Sequence, residues 1–233
     1  MRRTPLLASA AVLLVAACDP TGNVQPAGPT ASYRFVNAVA DAGGLVVRKN
    51  GSVLVSGITF GSVSSRVTVG ADANILVVSR NSDDFLLGSD TLVATEGRKY
   101  TMFGLGTVSN FKSLIATDDT IFAPAGTFKV RFVHGVKDQS AFGLDLYLTA
   151  TGTDISGVTP QVASLQYGAV STYFQNDTAA RRLRVTPAGT TTILLDTTFA
   201  ATFADSQVVT VVASDKVNGG PPAKFTVVID RTP

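Results

Sequence analysis

Gly44-Leu45-Val46-Val47-Arg48-Lys49-Asn50-Gly51-Ser52-Val53-Leu54-Val55-Ser56 decides how this chain folds. Two aliphatic, β-branched runs flank Asn50-Gly51, the dipeptide that best accepts positive φ at both centres of a tight turn. The stretch reads as a hairpin joining Leu45–Lys49 to Ser52–Ser56. Outward from it, short period-two apolar runs alternate with Gly, Pro, Asn and Asp clusters, the pattern of half-buried strands and turns. The first half places strand starts near Tyr33, Gly44, Ser52, Arg66, Asn74, Phe85, Lys99 and Phe111. The second places them near Phe128, Gly143, Ala163, Thr172, Arg182, Thr191, Gln207 and Ala223. One glutamate in 233 residues, Glu96, fits the same bias toward strands.

The two halves repeat one another in order, a signal of duplication. Tyr33-Arg34-Phe35-Val36-Asn37-Ala38-Val39 returns as Val130-Arg131-Phe132-Val133-His134-Gly135-Val136. Ile58-Thr59-Phe60-Gly61-Ser62-Val63-Ser64 returns as Leu165-Gln166-Tyr167-Gly168-Ala169-Val170-Ser171. Phe85-Leu86-Leu87 corresponds to Ile193-Leu194-Leu195, and Lys99-Tyr100-Thr101-Met102-Phe103 to Gln207-Val208-Val209-Thr210-Val211. Phe111-Lys112-Ser113-Leu114-Ile115 matches Lys224-Phe225-Thr226-Val227-Val228 with a shift of a residue or two. Seven or eight short strands in about 100 residues, without an amphipathic helix, define an all-β chain of two tandem immunoglobulin-like β-sandwich domains. They span 32–122 and 127–233, and Ala123-Pro124-Ala125-Gly126 is the hinge between them.

These motifs carry a family resemblance. Val130-Arg131-Phe132-Val133-His134-Gly135-Val136, followed by Leu144-Asp145-Leu146-Tyr147-Leu148, resembles the opening of the domain of unknown function numbered 4397, "VRVVHASPDAP-VDVYVNG". Phe60-Gly61-Ser62-Val63-Ser64 and Gly97-Arg98-Lys99-Tyr100-Thr101 resemble its later "FG-x-x-S" and "GKxYTV" elements. The first copy departs from the pattern, with Asn37 in place of the His and Val46 near the Asp. The resemblance implies exported, often tandem, sandwich-like domains of bacterial envelope proteins and carries no chemistry.

The amino-terminal residues give an address. Arg2 and Arg3 precede an apolar run from Leu6 to Ala17, which as a helix spans about 18 Å, too short for a bilayer core of about 30 Å. The single cysteine, Cys18, ends that run in Leu14-Val15-Ala16-Ala17-Cys18, which resembles the lipobox of bacterial lipoproteins. The resemblance implies a signal peptide over 1–17, cleavage before Cys18, and attachment of membrane lipid to Cys18. Two or three acyl chains make a lasting anchor where one does not. Residues 18–31 are then the lipidated cysteine and a Pro/Gly/Thr tether reaching roughly 20 Å as a coil and about 45 Å stretched. The expected location is the cell envelope, at the outer membrane or cell surface. Asp19 resembles an inner-membrane retention signal and keeps the inner membrane as the alternative.

Charge and composition exclude more than they include. Nineteen basic residues face seventeen acidic ones, and loss of Arg2 and Arg3 with a leader leaves the two counts equal. No basic excess points to nucleic acid. Arg181-Arg182-Leu183-Arg184 is a cluster whose Arg182 and Arg184 share one face of a strand, which reads as solvated. His134 is the sole histidine, no Gly-x-Ser-x-Gly elbow occurs, and a zinc site needs three or four ligands. His134 reads as a strand-end residue whose ring bonds backbone or Asp145. The pairs Asp83-Asp84 and Asp118-Asp119 sit at predicted turns, and calcium at the second pair would stiffen the hinge. Gly104-Leu105-Gly106 reads as a turn rather than a phosphate loop. With no Trp, sugar stacking falls to Tyr33, Tyr167 and Tyr173, since Tyr100 and Tyr147 occupy core-like strand positions. The expectation is a non-enzymatic envelope lipoprotein without catalytic residues, metal or cofactor, whose partner is an envelope protein or a glycan. Carbohydrate binding or adhesion at the cell surface is the alternative.

Overall fold

The structure, a computed structural model, describes residues 28–179, 181–199, 203–218 and 223–233. The leader, Cys18 and the tether up to residue 27 lie outside the described residues. Among the described residues sixteen strands form four four-stranded sheets. The first sandwich contains β1 (Thr30–Val39), β2 (Gly44–Lys49), β3 (Ser52–Thr59), β4 (Val67–Gly70), β5 (Ala73–Arg80), β6 (Leu86–Val93), β7 (Lys99–Thr107) and β8 (Asn110–Thr117). The second contains β9 (Thr127–Gly135), β10 (Leu144–Ala150), β11 (Val162–Leu165), β12 (Phe174–Asp177), β13 (Arg181–Pro187), β14 (Leu195–Phe199), β15 (Val208–Ser214) and β16 (Lys224–Arg231). Among the described residues the one helical element is a short 3-10 turn at Lys137–Gln139.

The copies share one topology. Sheet orders are β4-β1-β7-β8 and β3-β2-β5-β6 in the first, and β12-β9-β15-β16 and β11-β10-β13-β14 in the second. In each, one strand pair is parallel, β1 with β7 and β9 with β15, and the remaining ladders are antiparallel. The Asn50-Gly51 turn lies where its chemistry places it, with φ of 48° and 88°. β1 starts at Thr30, inside the stretch read as tether, because Thr30 and Ala31 pair with Gly70 and Val69 and Ala31 is buried. β14 starts at Leu195 rather than near Thr191. The residues before it close a turn, with the Thr190 amide donating to the Pro187 carbonyl and the Gly189 amide to Asp145.

Three apolar layers result. Tyr33, Phe35, Leu45, Val47, Leu76, Val78 and Met102 fill the first sandwich. Phe128, Val130, Phe132, Leu144, Leu146, Leu183, Val185 and Val211 fill the second. Between the sandwiches, Val36, Ala38, Phe103, Leu105 and Ala116 meet Val133, Val212 and Val228. β1 therefore alternates between two interiors: Tyr33 and Phe35 point into their own sandwich, while Val36 and Ala38 point at the other. The sheets containing β1 and β9 lie face to face, and the residues of the seam between them are as buried as those of the two cores.

Candidate functional site between the two sandwiches

The seam is closed at each end by charge. On β1, Arg34 precedes the apolar pair Val36 and Ala38 on the seam face; on β9, Arg131 precedes Val133. The parallel ladders set Arg34 beside Thr101 and Arg131 beside Thr210. Each arginine then does the same two things. Arg34 Nε donates to Thr101 Oγ1 at 2.8 Å, and Arg131 Nε donates to Thr210 Oγ1 at 2.8 Å. The forks cross the seam: Arg34 to Asp230 and to the Ile229 carbonyl, Arg131 to Asp118 at 2.6 Å and to the Thr117 carbonyl at 2.7 Å. Thr101 Oγ1 donates to Asp118 and Thr210 Oγ1 to Asp230.

A third partner completes each half. Arg66 pairs with Asp118, and at the repeat-related position Tyr173 donates its hydroxyl to Asp230 at 2.8 Å while its ring lies 4.6 Å from the Arg131 guanidinium. Burial pulls the Arg34 guanidinium below its ordinary value and pushes the Tyr173 phenol up. Burial likewise raises the Asp230 carboxyl, against the opposing pull of Arg34. Bidentate guanidinium forks suit such a site because their donors are fixed in a plane. Buried ion pairs add little net stability, but they penalise any arrangement that leaves one partner alone. The network thus fixes how the sandwiches sit.

At the opposite end of the seam the repeated Phe-Gly and Tyr-Gly motifs are crossed in the same way. Lys112 Nζ lies 5.5 Å from the Tyr167 ring of the second sandwich and donates to the Tyr167 carbonyl at 3.2 Å. Lys224 Nζ lies 5.2 Å from the Phe60 ring of the first. Gly168 and Gly61 leave room for the lysines, since a Cβ there would sit 2.3 Å from Lys112 Cε and 2.7 Å from Lys224 Nζ. The serines that end the motifs brace the inner strands: Ser64 Oγ accepts the Phe35 amide at 3.0 Å, and Ser171 Oγ the Phe132 amide at 2.9 Å.

The remaining sequence candidates fall into place around this seam. His134 is fully buried; its Nδ1 accepts the Val136 amide at 3.2 Å and its Nε2 faces the Phe142 carbonyl at 3.4 Å. The ring bonds backbone, and Asp145 is instead occupied by the amides of Ser164 and Gly189. Burial pulls the imidazole down to about 4 from 6.5. Asp118 is no calcium ligand pair with Asp119: it faces Arg34, Arg66 and Arg131, and Asp119 holds Lys129 at 2.8 Å. Asp83 and Asp84 pair with Arg80 and Arg48. Arg182 pairs with Asp196 on the surface, whereas Arg184, read as solvated, is buried, because Thr149 and the Thr153 carbonyl cover it. Gly104-Leu105-Gly106 belongs to β7 rather than to a turn, with Gly104 pressed against Phe111, Leu45 and Val39. Tyr33 is buried and stacked on Tyr100, Tyr173 is held in the seam, and Tyr167 lies under Lys112, so none presents an open stacking face. Cys18 lies outside the described residues.

The fold and seam define a tandem β-sandwich protein whose two copies are docked through their own repeated motifs. Residues 31–147, from β1 to the middle of β10, match DUF4397, the domain of unknown function family, and the chain belongs to that family. No curated protein matches it. The solved structures to which it is similar include a family 41 carbohydrate-binding module from streptococcal virulence factors, described for α-glucan recognition. That module is 11% identical, with 78% of this chain and 93% of that chain covered and a TM-score of 0.27. A family 26 carbohydrate-binding module from Eubacterium rectale, solved with maltoheptaose, is 11% identical over 88% of this chain and 98% of that one, with a TM-score of 0.26. A fimbrial assembly protein from Parabacteroides distasonis is 12% identical over 87% and 99%, with a TM-score of 0.26.

Proposed function

We propose that this chain is a lipid-anchored protein of the bacterial cell envelope in which two sandwiches form one rigid, non-enzymatic body. Acylated Cys18 holds it to a membrane, the outer membrane or cell surface being the favoured site. The segment from Asp19 to Pro29 lets the body stand away from the lipid and bind or space an envelope protein or a glycan. The observation that supports a binding or spacing role is how the buried ionisable groups are used. Arg34, Arg131, Asp118 and Asp230 hold the seam, and His134 holds its own strand end. An acid or base aimed at a substrate needs a face open to it, and these groups face one another or backbone. A polymer-hydrolysing activity lost in His134→Asn would overturn the non-enzymatic part of the reading. For the anchor, Cys18→Ser is expected to release the protein from membranes and to abolish palmitate labelling; unchanged partitioning refutes it.

A further inference from the structure

The described chain begins at one end of the molecule, and that end is chemically distinct. The Gly97 amide donates to the Thr30 carbonyl at 2.8 Å, the Ser32 amide donates to the Arg98 carbonyl at 3.1 Å, and Ser32 is in register with Lys99. The amino-terminal segment therefore leaves beside Arg98 and Lys99. Lys99 borders a surface hollow of about 370 Å³ that Phe122, Ile229, Asp230, Arg231 and Thr232 also line. The Asp230 carboxylate is turned into the seam and spent on Arg34. The Arg231 guanidinium lies 3.7 Å from the centre of the Phe122 ring and donates to the Thr120 carbonyl. Arg98 and Lys99 have no carboxylate within ion-pairing distance among the described residues. Asp119 is held by Lys129, which leaves Glu96 as the exposed acid on the same turn. Beside these cations, Ile121 is 71% exposed, Ile229 50% and Phe122 37%. Cations rimming exposed aliphatic and aromatic side chains are the composition of a surface that meets lipid headgroups.

We infer that this end is a membrane-contact face. Lys99 and Arg231 take the phosphates of anionic phospholipid headgroups, and Ile121, Phe122 and Ile229 press into the interfacial region. The choice of occupant rests on the reading of Cys18 as a lipid anchor. Eleven residues separate Cys18 from Thr30, a contour of about 40 Å, so the anchored bilayer is always within reach of this face. Charge complementarity to an anionic leaflet supplies the rest, and salt weakens it. The body then alternates between lying end-on against its own membrane and standing off it.

The chain contains no tryptophan, so one introduced residue reports its own surroundings. Phe122→Trp keeps an aromatic face under Arg231. Phe142→Trp marks the other end, where Phe142 is 61% exposed beyond the far terminus of β9. Each full-length protein is placed on phosphatidylcholine vesicles with and without phosphatidylglycerol, with brominated acyl chains as quencher. The expected result is quenching of Phe122→Trp in the anionic vesicles, reversed by high salt and by Lys99→Gln with Arg231→Gln, and none of Phe142→Trp. Equal quenching of the two reporters, no quenching of Phe122→Trp, or indifference to phosphatidylglycerol overturns the contact face. Burial of Phe122→Trp against a second copy or a partner protein, seen as a spectral shift without lipid quenching, overturns it as well. The anchor is read separately, from the mass of the Cys18 peptide. If Cys18 carries no acyl chain, excess vesicles replace the tether and the same contrast between reporters decides the face.

Discussion

Asn37 and His134 occupy the same position in two copies of one sandwich, and each lends a side-chain acceptor to the amide two residues on. Asn37 Oδ1 accepts from Val39 at 2.9 Å, and His134 Nδ1 accepts from Val136 at 3.2 Å. The equivalence converts a lone histidine into a structural residue whose replacement the protein itself supplies. Burial holds the folded-state imidazole near 4, whereas the unfolded chain accepts its proton below about pH 6.5. The contribution of His134 to stability is thus complete above about pH 6.5 and is lost as the pH falls toward 4, a span of about 3 kcal/mol. His134→Asn is expected to fold and to flatten that loss. Urea midpoints of the two proteins at pH 7 and pH 4.5 check it; parallel declines would show that His134 titrates freely when folded.

Gly168 and Gly61 are needed for what crosses above them. Both have positive φ, 73° and 76°, and both lie beneath a lysine from the other sandwich. Gly57 has a similar φ of 68° with open space around its Cβ position. An alanine at Gly57 is expected to cost only the backbone term of about 1 kcal/mol. Alanine at Gly168 adds displacement of Lys112 from the Tyr167 ring and carbonyl, raising the loss to about 2–3 kcal/mol. Thermal unfolding of the two variants gives the difference, and equal losses would mean that the lysine contact contributes nothing.

Much of this fold was legible in period two. The Asn50-Gly51 hairpin, most strand starts and the order of the repeats follow from alternation and turn chemistry alone, because each sandwich buries one face of each sheet. The seam has a subtler signal in the sequence. Lys112, Leu114, Ala116 and Asp118 alternate with Phe111 and Ile115, which pack on the first core, and Lys224, Thr226, Val228 and Asp230 repeat the row beside Phe225 and Val227 of the second. A charge at each end of a partly apolar row, on the face opposite a core, marks a second dry interface rather than solvent. The two copies are also out of step by one residue at β7 and β15. Matching the β7 and β15 runs end to end sets Thr101 against Val209, whereas the parallel ladders set Thr101 beside Arg34 and Thr210 beside Arg131. Only the partner strand fixes that register. Tyrosine exposure was illegible for the same reason: Tyr173 is placed by the carboxylate it serves, which comes from a strand 57 residues away.

Tyr173→Phe isolates one hydrogen bond of the seam. The ring stays over Arg131 and the hydroxyl to Asp230 is removed, while Thr210 still donates to the same carboxylate oxygen. The expected loss is about 1 kcal/mol, seen as a lower urea midpoint at unchanged slope. A loss several times larger would mean that the phenol, rather than Arg34, keeps Asp230 in place.

The Arg34–Asp230 pair gives the sharpest test of the seam. Both side chains are almost wholly buried and they belong to different sandwiches. Asp230→Ala leaves the Arg34 guanidinium buried with only Thr101, the Ile229 carbonyl and a distant Asp118 oxygen at 3.5 Å. Stranding such a charge costs about 3–5 kcal/mol. Removal of Asp83 from its exposed pair with Arg80 is expected to leave the urea midpoint nearly unchanged. Replacing both seam partners by apolar residues of similar size, Arg34→Met with Asp230→Leu, removes the stranded charge and is expected to recover most of the loss. The double-mutant cycle from urea denaturation should therefore show strong coupling. Recovery of stability need not recover geometry. The seam would keep its apolar centre and lose one of its two crossed forks, so the sandwiches should unfold as one transition in the native chain and separate into two in the double variant. A single unchanged transition would place the docking energy in the Val36, Phe103, Val133 and Val212 layer, with the arginines serving only to satisfy one another.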